Sequence, residues 1–210
     1  LDQAEYSAQL ELLDPVTREQ LRHGNWDVTL QGGLFPRTSW KFVDAPPAGD
    51  VRRVRFWDLA ATKPKAGTDP SYTCGVKMAV HADGRVFIED VRAIRDEPVV
   101  VDALLEMTAE LDGRAIPVRL EQEGGSSGKR TISDIVRRVL PGFDAGGVRP
   151  WGSKIERARP FSAQVNVGNV YLVRADWNEE FVGEFERFPL GGHDDSVDAS
   201  SGAFDFLTRH

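Results

Sequence analysis

Three strand-like runs follow one another between Val51 and Ile94, and helix and strand signals alternate after them, an order that few folds accept. Val51–Ala60 and Tyr72–Val80 carry the β-branched and aromatic content of strands, and Arg85–Ile94 is a third such run. The turn signal His81-Ala82-Asp83-Gly84 is too short for a crossover, so these strands form an antiparallel meander. Downstream, Asp96 as N-cap predicts a helix through Leu111, with apolar spacing at Val100, Leu104, Leu105 and Met107. Ala115–Glu123 reads as a buried-type strand. A Gly/Ser loop then leads to a helix over Arg130–Leu140 carrying Ile132, Ile135, Val136 and Val139. A short strand around Val148, a helix over Ile155–Val165 bent by Pro160, and a strand or edge ribbon at Val170–Val173 come next. Trp177–Phe188 and Asp195–Leu207 read as helices.

A three-strand antiparallel meander followed by alternating helix and parallel strand is the order of the ribonuclease H-like fold. The expected class is therefore α/β, a mixed central sheet flanked by helices, occupying residues 51–210. Residues 1–50 stand apart. Asp14 as N-cap, Pro15 at the first helical position and Gly24 as a stop predict a helix over Pro15–His23. Asn25–Asp50 is rich in Gly and Pro with scattered aromatics (Trp26, Phe35, Trp40, Phe42), a linker that packs on something. The chain opens at Leu1 in what reads as mid-helix, so it is expected to be a piece of a longer polypeptide.

At 210 residues and 40% hydrophobic content the chain can bury a core of its own. One cysteine, Cys74, excludes an internal disulfide framework and a Cys-based zinc site, and is most simply a buried strand residue. No apolar run reaches membrane-spanning length and the first residues lack a signal-peptide pattern, so a soluble intracellular protein is expected. The net charge of −7 has the wrong sign for a protein that simply coats nucleic acid: either nucleic acid is not the partner, or it is met by a local basic patch with metal ions in the site.

Acidic residues occupy places with no structural need for them. His193-Asp194-Asp195-Ser196-Val197-Asp198 puts three carboxylates at a helix start, more repulsion than the helix dipole offsets. Asp195 and Asp198, at i and i+3, share a face; an N-cap with surface acids is the plain alternative. Asp58 lies among Phe56, Trp57, Leu59 and Ala60, where an ionised carboxylate is expensive unless it meets a cation or several hydrogen bonds. Glu121 and Glu123 fall on one face of their strand, at the C-terminal end where open sheets gather ligands. An all-oxygen set suits Mg2+ or Mn2+. Two such ions about 3.5 to 4 Å apart activate a water and stabilise the leaving oxygen of an in-line attack on a phosphodiester.

Four stretches, RFWDLAATKPKAGTDPSYTCGV, VRLEQEGGSSGK, GSKIERARPFSAQVNVGNVYLV and FPLGGHDDSVDASSGAF, resemble in their order the C-terminal nuclease domain of the phage terminase large subunit, the DNA-packaging motor. The resemblance implies a metal-dependent endonuclease that cuts concatemeric double-stranded viral DNA in the host cytoplasm, with the portal protein and small terminase subunit as partners. It makes Asp58, Glu121 and Asp195 the catalytic acids, with Asp194 and Asp198 as neighbouring metal ligands. Glu123 stands where relatives carry a neutral residue. Residues 1–40 resemble the end of the family's ATPase domain and its linker. The isolated domain is expected to be monomeric.

Gly124-Gly125-Ser126-Ser127-Gly128-Lys129-Arg130 imitates a phosphate-binding Walker loop. It has three residues between its glycines where four are needed, and Arg130 in place of the magnesium-binding hydroxyl. Lys129 is read instead as approaching a DNA phosphate, or the loop as a plain connection. Lys63, Lys65, Arg149, Lys154, Arg157 and Arg159, the last four interleaved with Trp151, are placed to hold DNA phosphates; a solvated helix face is the alternative for that last group. Trp177 and Phe181 are expected in the core, and His193 as an ordinary loop histidine beside the acids. Two other readings stay open: another ribonuclease H-like DNA enzyme, such as a resolvase or transposase core, and a non-catalytic DNA or portal docking module.

Overall fold

The computed structural model describes residues 33–60, 71–122 and 125–209. The helix expected at Pro15–His23, Lys63, Lys65 and Glu123 lie outside the described residues. The strands are β1 (Lys41–Val43), β2 (Val51–Asp58), β3 (Thr73–His81), β4 (Val86–Ile94), β5 (Val118–Glu121), β6 (Ala145–Val148) and β7 (Val170–Val173). The helices are α1 (Pro98–Asp112), α2 (Gly125–Arg138), α3 (Lys154–Asn166), α4 (Asn178–Arg187) and α5 (Asp195–Arg209). The strands form one sheet in the order β1-β7-β4-β3-β2-β5-β6. β2, β3 and β4 are the antiparallel meander; β5 joins β2, β6 joins β5, β7 joins β4 and β1 joins β7, all parallel. This is the expected mixed sheet flanked by helices. None of the helices is long and apolar enough to cross a membrane among the described residues.

The period of two along β2 assigns the faces. Val54 and Phe56 enter a core shared with Phe161 of α3, Phe181 and Phe185 of α4, and Val197, Ala203 and Phe204 of α5. Trp57 points the other way, into a core with Leu105 of α1 and Ile132, Ile135 and Val139 of α2. Three helices thus cover one face and two the other.

The differences from the expected elements have local causes. α1 is capped by Glu97, not Asp96: Pro98 at the first helical position fixes the start, and Asp96 instead accepts the Glu97 amide at 2.7 Å. α2 begins at Gly125, several residues before Arg130, because buried Gly128 extends the inward row of Ile132, Ile135 and Val139. Lys129 is therefore a helical, exposed residue. β1 carries no alternating pattern to betray it. It is held by its neighbours Phe35 and Trp40, whose rings meet Phe185 at 4.7 and 5.2 Å between centroids.

On the α1 face, Arg55 is almost fully buried, 1% exposed. Its Nε donates to Asp112 at 2.7 Å and its Nη2 to Asp90 at 2.8 Å, while Lys77 reaches Asp112 at 3.1 Å. Burial works to raise the Asp112 pKa, but these cations outweigh it and hold the carboxyl below its usual value. Removing one partner of such a pair strands a buried charge. Asp112→Ala is accordingly expected to cost about 3–5 kcal/mol in urea unfolding at neutral pH. A depressed carboxylate pKa stabilises above its unfolded value of 3.8 and loses that contribution as pH falls through the folded value. The difference between parent and variant should therefore shrink only in strongly acid solution.

Candidate active site

Asp58 is the last residue of β2 and Glu121 the last of β5. The parallel register Trp57↔Leu120 places them side by side, one step further on, at the same end of the sheet. Trp57 and Leu120 face α1 and α2, so the alternation turns both acids towards α5. That helix opens with Asp195 and carries Asp198 one turn later, both buried. Its approach to the sheet depends on Gly202, where an added Cβ would stand 2.4 Å from the Phe56 ring. Gly202→Ala is expected to lever α5 away from β2, lowering the melting temperature, with shifts in NMR spectra spreading to the Asp195 and Asp198 resonances.

The bottom of the cluster is wired by α3. Ser153 and Glu156 form a reciprocal cap: Ser153 N donates to Glu156 Oε2 at 2.7 Å, and Glu156 N to Ser153 Oγ at 3.3 Å. This fixes the first turn of α3, whose Lys154 and Arg157 share a face at i, i+3. Lys154 Nζ lies 2.6 Å from Asp194 and 2.7 Å from Asp198, and Arg157 Nη2 lies 2.8 Å from Asp198 and 3.5 Å from Glu121. Both cations, read as DNA contacts, point into the acids. Arg149 and Arg159 are exposed and enter none of these pairs.

Asp195 Oδ2 accepts the Tyr72 amide at 3.0 Å. Beside it, His193 Nδ1 lies 3.8 Å from Asp195 and its Nε2 meets Arg95 at 3.0 Å, while the Arg95 guanidinium stacks 3.8 Å over the Tyr72 ring. The histidine thus sits inside the site's framework. Glu184 of α4 was not anticipated: its carboxylate accepts the Ser196 amide at 2.6 Å and the Ser196 hydroxyl at 2.8 Å, pinning the first turn of α5. An acid on the same helix face as Phe181 and Phe185 was the available signal. Phe181 is in the core with Trp177 packed against it, and Cys74 is buried, as expected.

Among the described residues no three acidic or histidine side chains stand close enough together to hold an ion as they are. The charge is balanced instead by Lys154 and Arg157. Among the described residues Asp58 has no such direct pair: burial first, then the charges of Glu121, Asp198 and Asp195, push its pKa well above the usual value. Burial also raises Glu121 against the pull of Arg157, and Asp195 against its hydrogen bond from Tyr72. Lys154, half-exposed, goes up despite its partial desolvation, because Asp194 and Asp198 hold the ammonium. A half-buried carboxylate that meets no direct cation among the described residues, beside other hard oxygen donors, fits a divalent metal.

A carboxyl raised in the folded state costs nothing below its unfolded value of 3.8, destabilises progressively as pH rises from there, and costs its full amount above its folded value. Asp58→Asn is therefore expected to raise the melting temperature at pH 8 in the presence of a chelator. The gain should fade on acidification and vanish near pH 3.8. A gain that persists in acid would show that Asp58 is not the strained group.

A family model described as "Terminase RNaseH-like domain" matches residues 55–205. The fold is similar to the large terminase nuclease of thermophilic phage G20c solved with bound magnesium, at 14% identity and TM-score 0.52 over 83% of this chain and 97% of that one. It is similar to the large terminase nuclease domain of Thermus phage P74-26, at 12% identity and TM-score 0.53 over 80% and 92%. The human cytomegalovirus terminase nuclease domain, soaked in manganese, is 13% identical with TM-score 0.54 over 75% and 82%. No curated protein matches the chain. The solved structures share the fold, and the family model spans well over half of the sequence: the chain belongs to the Terminase RNaseH-like domain family.

Proposed function

We propose that this chain is the nuclease part of a viral DNA-packaging terminase large subunit, cutting concatemeric double-stranded DNA by metal-dependent phosphodiester hydrolysis. The supporting observation is the convergence of Asp58 and Glu121, from adjacent strand ends, on Asp195 and Asp198 of α5. The family and the magnesium- and manganese-treated neighbours point the same way. On this reading residues 51–210 carry the nuclease domain, to whose sheet and core Phe35, Trp40 and β1 (Lys41–Val43) also belong, and the residues before them are the end of an ATPase domain and its linker. The portal protein and the small terminase subunit, in the host cytoplasm, are the partners the family implies.

Asp58, Glu121 and Asp195 would hold two Mg2+ or Mn2+ ions, with Asp194, Asp198 and Glu123 as further donors. Bound there, such ions supply an activated water and charge stabilisation at the leaving oxygen. The protein's part is to present oxygens. Loss of the Asp58 proton makes both its oxygens available, and transfer of Lys154 away from Asp198 frees a second carboxylate. Arg157 keeps Glu121 and Asp198 aligned meanwhile. Exposed Lys129, Arg149 and Arg159, with Lys63 and Lys65, would meet phosphates, which position a duplex without reading its sequence.

The pairing of Lys154 with Asp194 and Asp198 favours one rival, a non-catalytic docking module whose acids are permanently neutralised. Plasmid cleavage separates the two. The chain is expected to nick and linearise DNA with Mn2+ or Mg2+ and to lose activity steeply with salt. Its cut ends should be of no fixed sequence. Asp58→Ala, Glu121→Ala and Asp195→Ala should each fall to background while the fold survives. Cleavage by Asp58→Ala at the parental rate would refute the assignment, and a tight consensus at the ends would reveal a base-reading element.

A further inference from the structure

Single exposed apolar side chains are ordinary on a protein surface, whereas a contiguous row is not. Nine large hydrophobic residues are exposed among the described residues, and four of them lie on α1. Val99, Val100, Met107 and Leu111 are 72%, 38%, 50% and 72% exposed. Val100, Met107 and Leu111, with half-buried Leu104 between, follow i, i+4, i+7 and i+11 spacing and so form one stripe along the helix. The opposite side of α1 already anchors it through Leu105, Thr108 and Ala109. Of the stripe, only Leu104 packs against that core; Val100, Met107 and Leu111 stay exposed.

The charge around it is one-sided. Asp102, Glu106, Glu110 and Asp112 lie on α1, which has no Lys or Arg. Asp102 is paired with Arg138 at 2.6 Å, and Glu110 stands 3.6 Å from Arg114 with both side chains well exposed, a weak contact. Glu106 is exposed beside Met107 and edges the stripe. This rim decides the occupant. DNA would be repelled. A second copy, packed antiparallel about a two-fold axis, would set each flank against its own equivalent, with Glu106 and Glu110 facing themselves and only the weak Glu110–Arg114 contact to answer them. We propose that the outer face of α1 docks an amphipathic α-helix of a partner protein whose apolar anchors are flanked by Lys or Arg. Recognition would run through anchors spaced three and four residues apart, with the basic flank setting orientation and specificity.

The inference does not depend on the nuclease reading, and binding alone tests it. The probes are two synthetic amphipathic helices of about four turns, one of Leu and Lys, the other of Leu and Glu in the same pattern. Titrated into the whole chain and followed by amide NMR shifts, the Leu/Lys helix should perturb residues of α1 and the Leu/Glu helix should not. The surface double variant Met107→Ser/Leu111→Ser, with an unchanged melting temperature, should bind roughly tenfold more weakly. Glu106→Lys/Glu110→Lys should reverse the preference between probes. Shifts confined to the acids around Asp58 and Asp195, equal binding of both probes, or no binding would overturn the proposal. A concentration-dependent dimer, abolished by the double serine variant, would instead make the occupant a second copy.

Discussion

The near contact between Gly202 and the Phe56 ring governs where everything in the acidic cluster can be. Any larger residue at that point of α5 would hold the helix off β2, and Asp195 and Asp198 ride on the same helix, two turns and one turn earlier. The sheet supplies the other half of the geometry. Phe56 and Asp58 share a face of β2, so the ring that receives Gly202 and the carboxylate that faces α5 are set by one strand alternation. Glu184 clamps the first turn of α5 from α4, and the Ser153–Glu156 cap aims Lys154 and Arg157 from α3. Three helices therefore converge on two strand ends through short, local devices, each legible as backbone capping or close packing.

Charge is handled differently on the two faces of the sheet. Beneath α1, Arg55 is buried with Asp112 and Asp90 in a network whose carboxyl is held low, so ionisation there favours the folded state. Beside α5 the carboxyls of Asp58, Glu121 and Asp195 are pushed up, so ionisation opposes it. Lys154 and Arg157 offset only part of that repulsion, since neither forms a direct pair with Asp58. Strain of this sign, localised at an open strand end, is what distinguishes a group of acids awaiting a cation from a finished ion-pair network.

Much of this was readable from the chain. The β-branched runs and the turn at His81–Gly84 announced the meander, and the strand-end position read for Glu121 is the one found. β1 was not readable, because three residues without alternation carry no period; only the burial of Phe35 and Trp40 explains it. α2 was read too short, since glycine and serine argue for a loop until Gly128 is seen to be buried in register with Ile132. The roles of Lys154 and Arg157 were also hidden. A cluster of bases in sequence looks the same whether it faces solvent or folds back on acids forty residues away, and pairing across α3 and α5 is a fact of tertiary structure alone.

The same distribution of charge restricts how a polyanion could approach. α1 presents acids and no base on one face of the sheet, and the acids at the strand ends are the only part of the other face that the proposed chemistry needs to reach. Exposed Lys129 sits on α2, which packs on β6, Arg149 follows β6 directly, and Arg159 is on α3. With a net charge of −7 no long-range field assists the encounter, so the local bases must do it at short range, which is why salt should weaken it so steeply. On the proposed reading the domain depends on the rest of its motor to deliver DNA, and the unoccupied apolar stripe on α1, on the face away from the acids, leaves room for a partner to hold it there without blocking the cut.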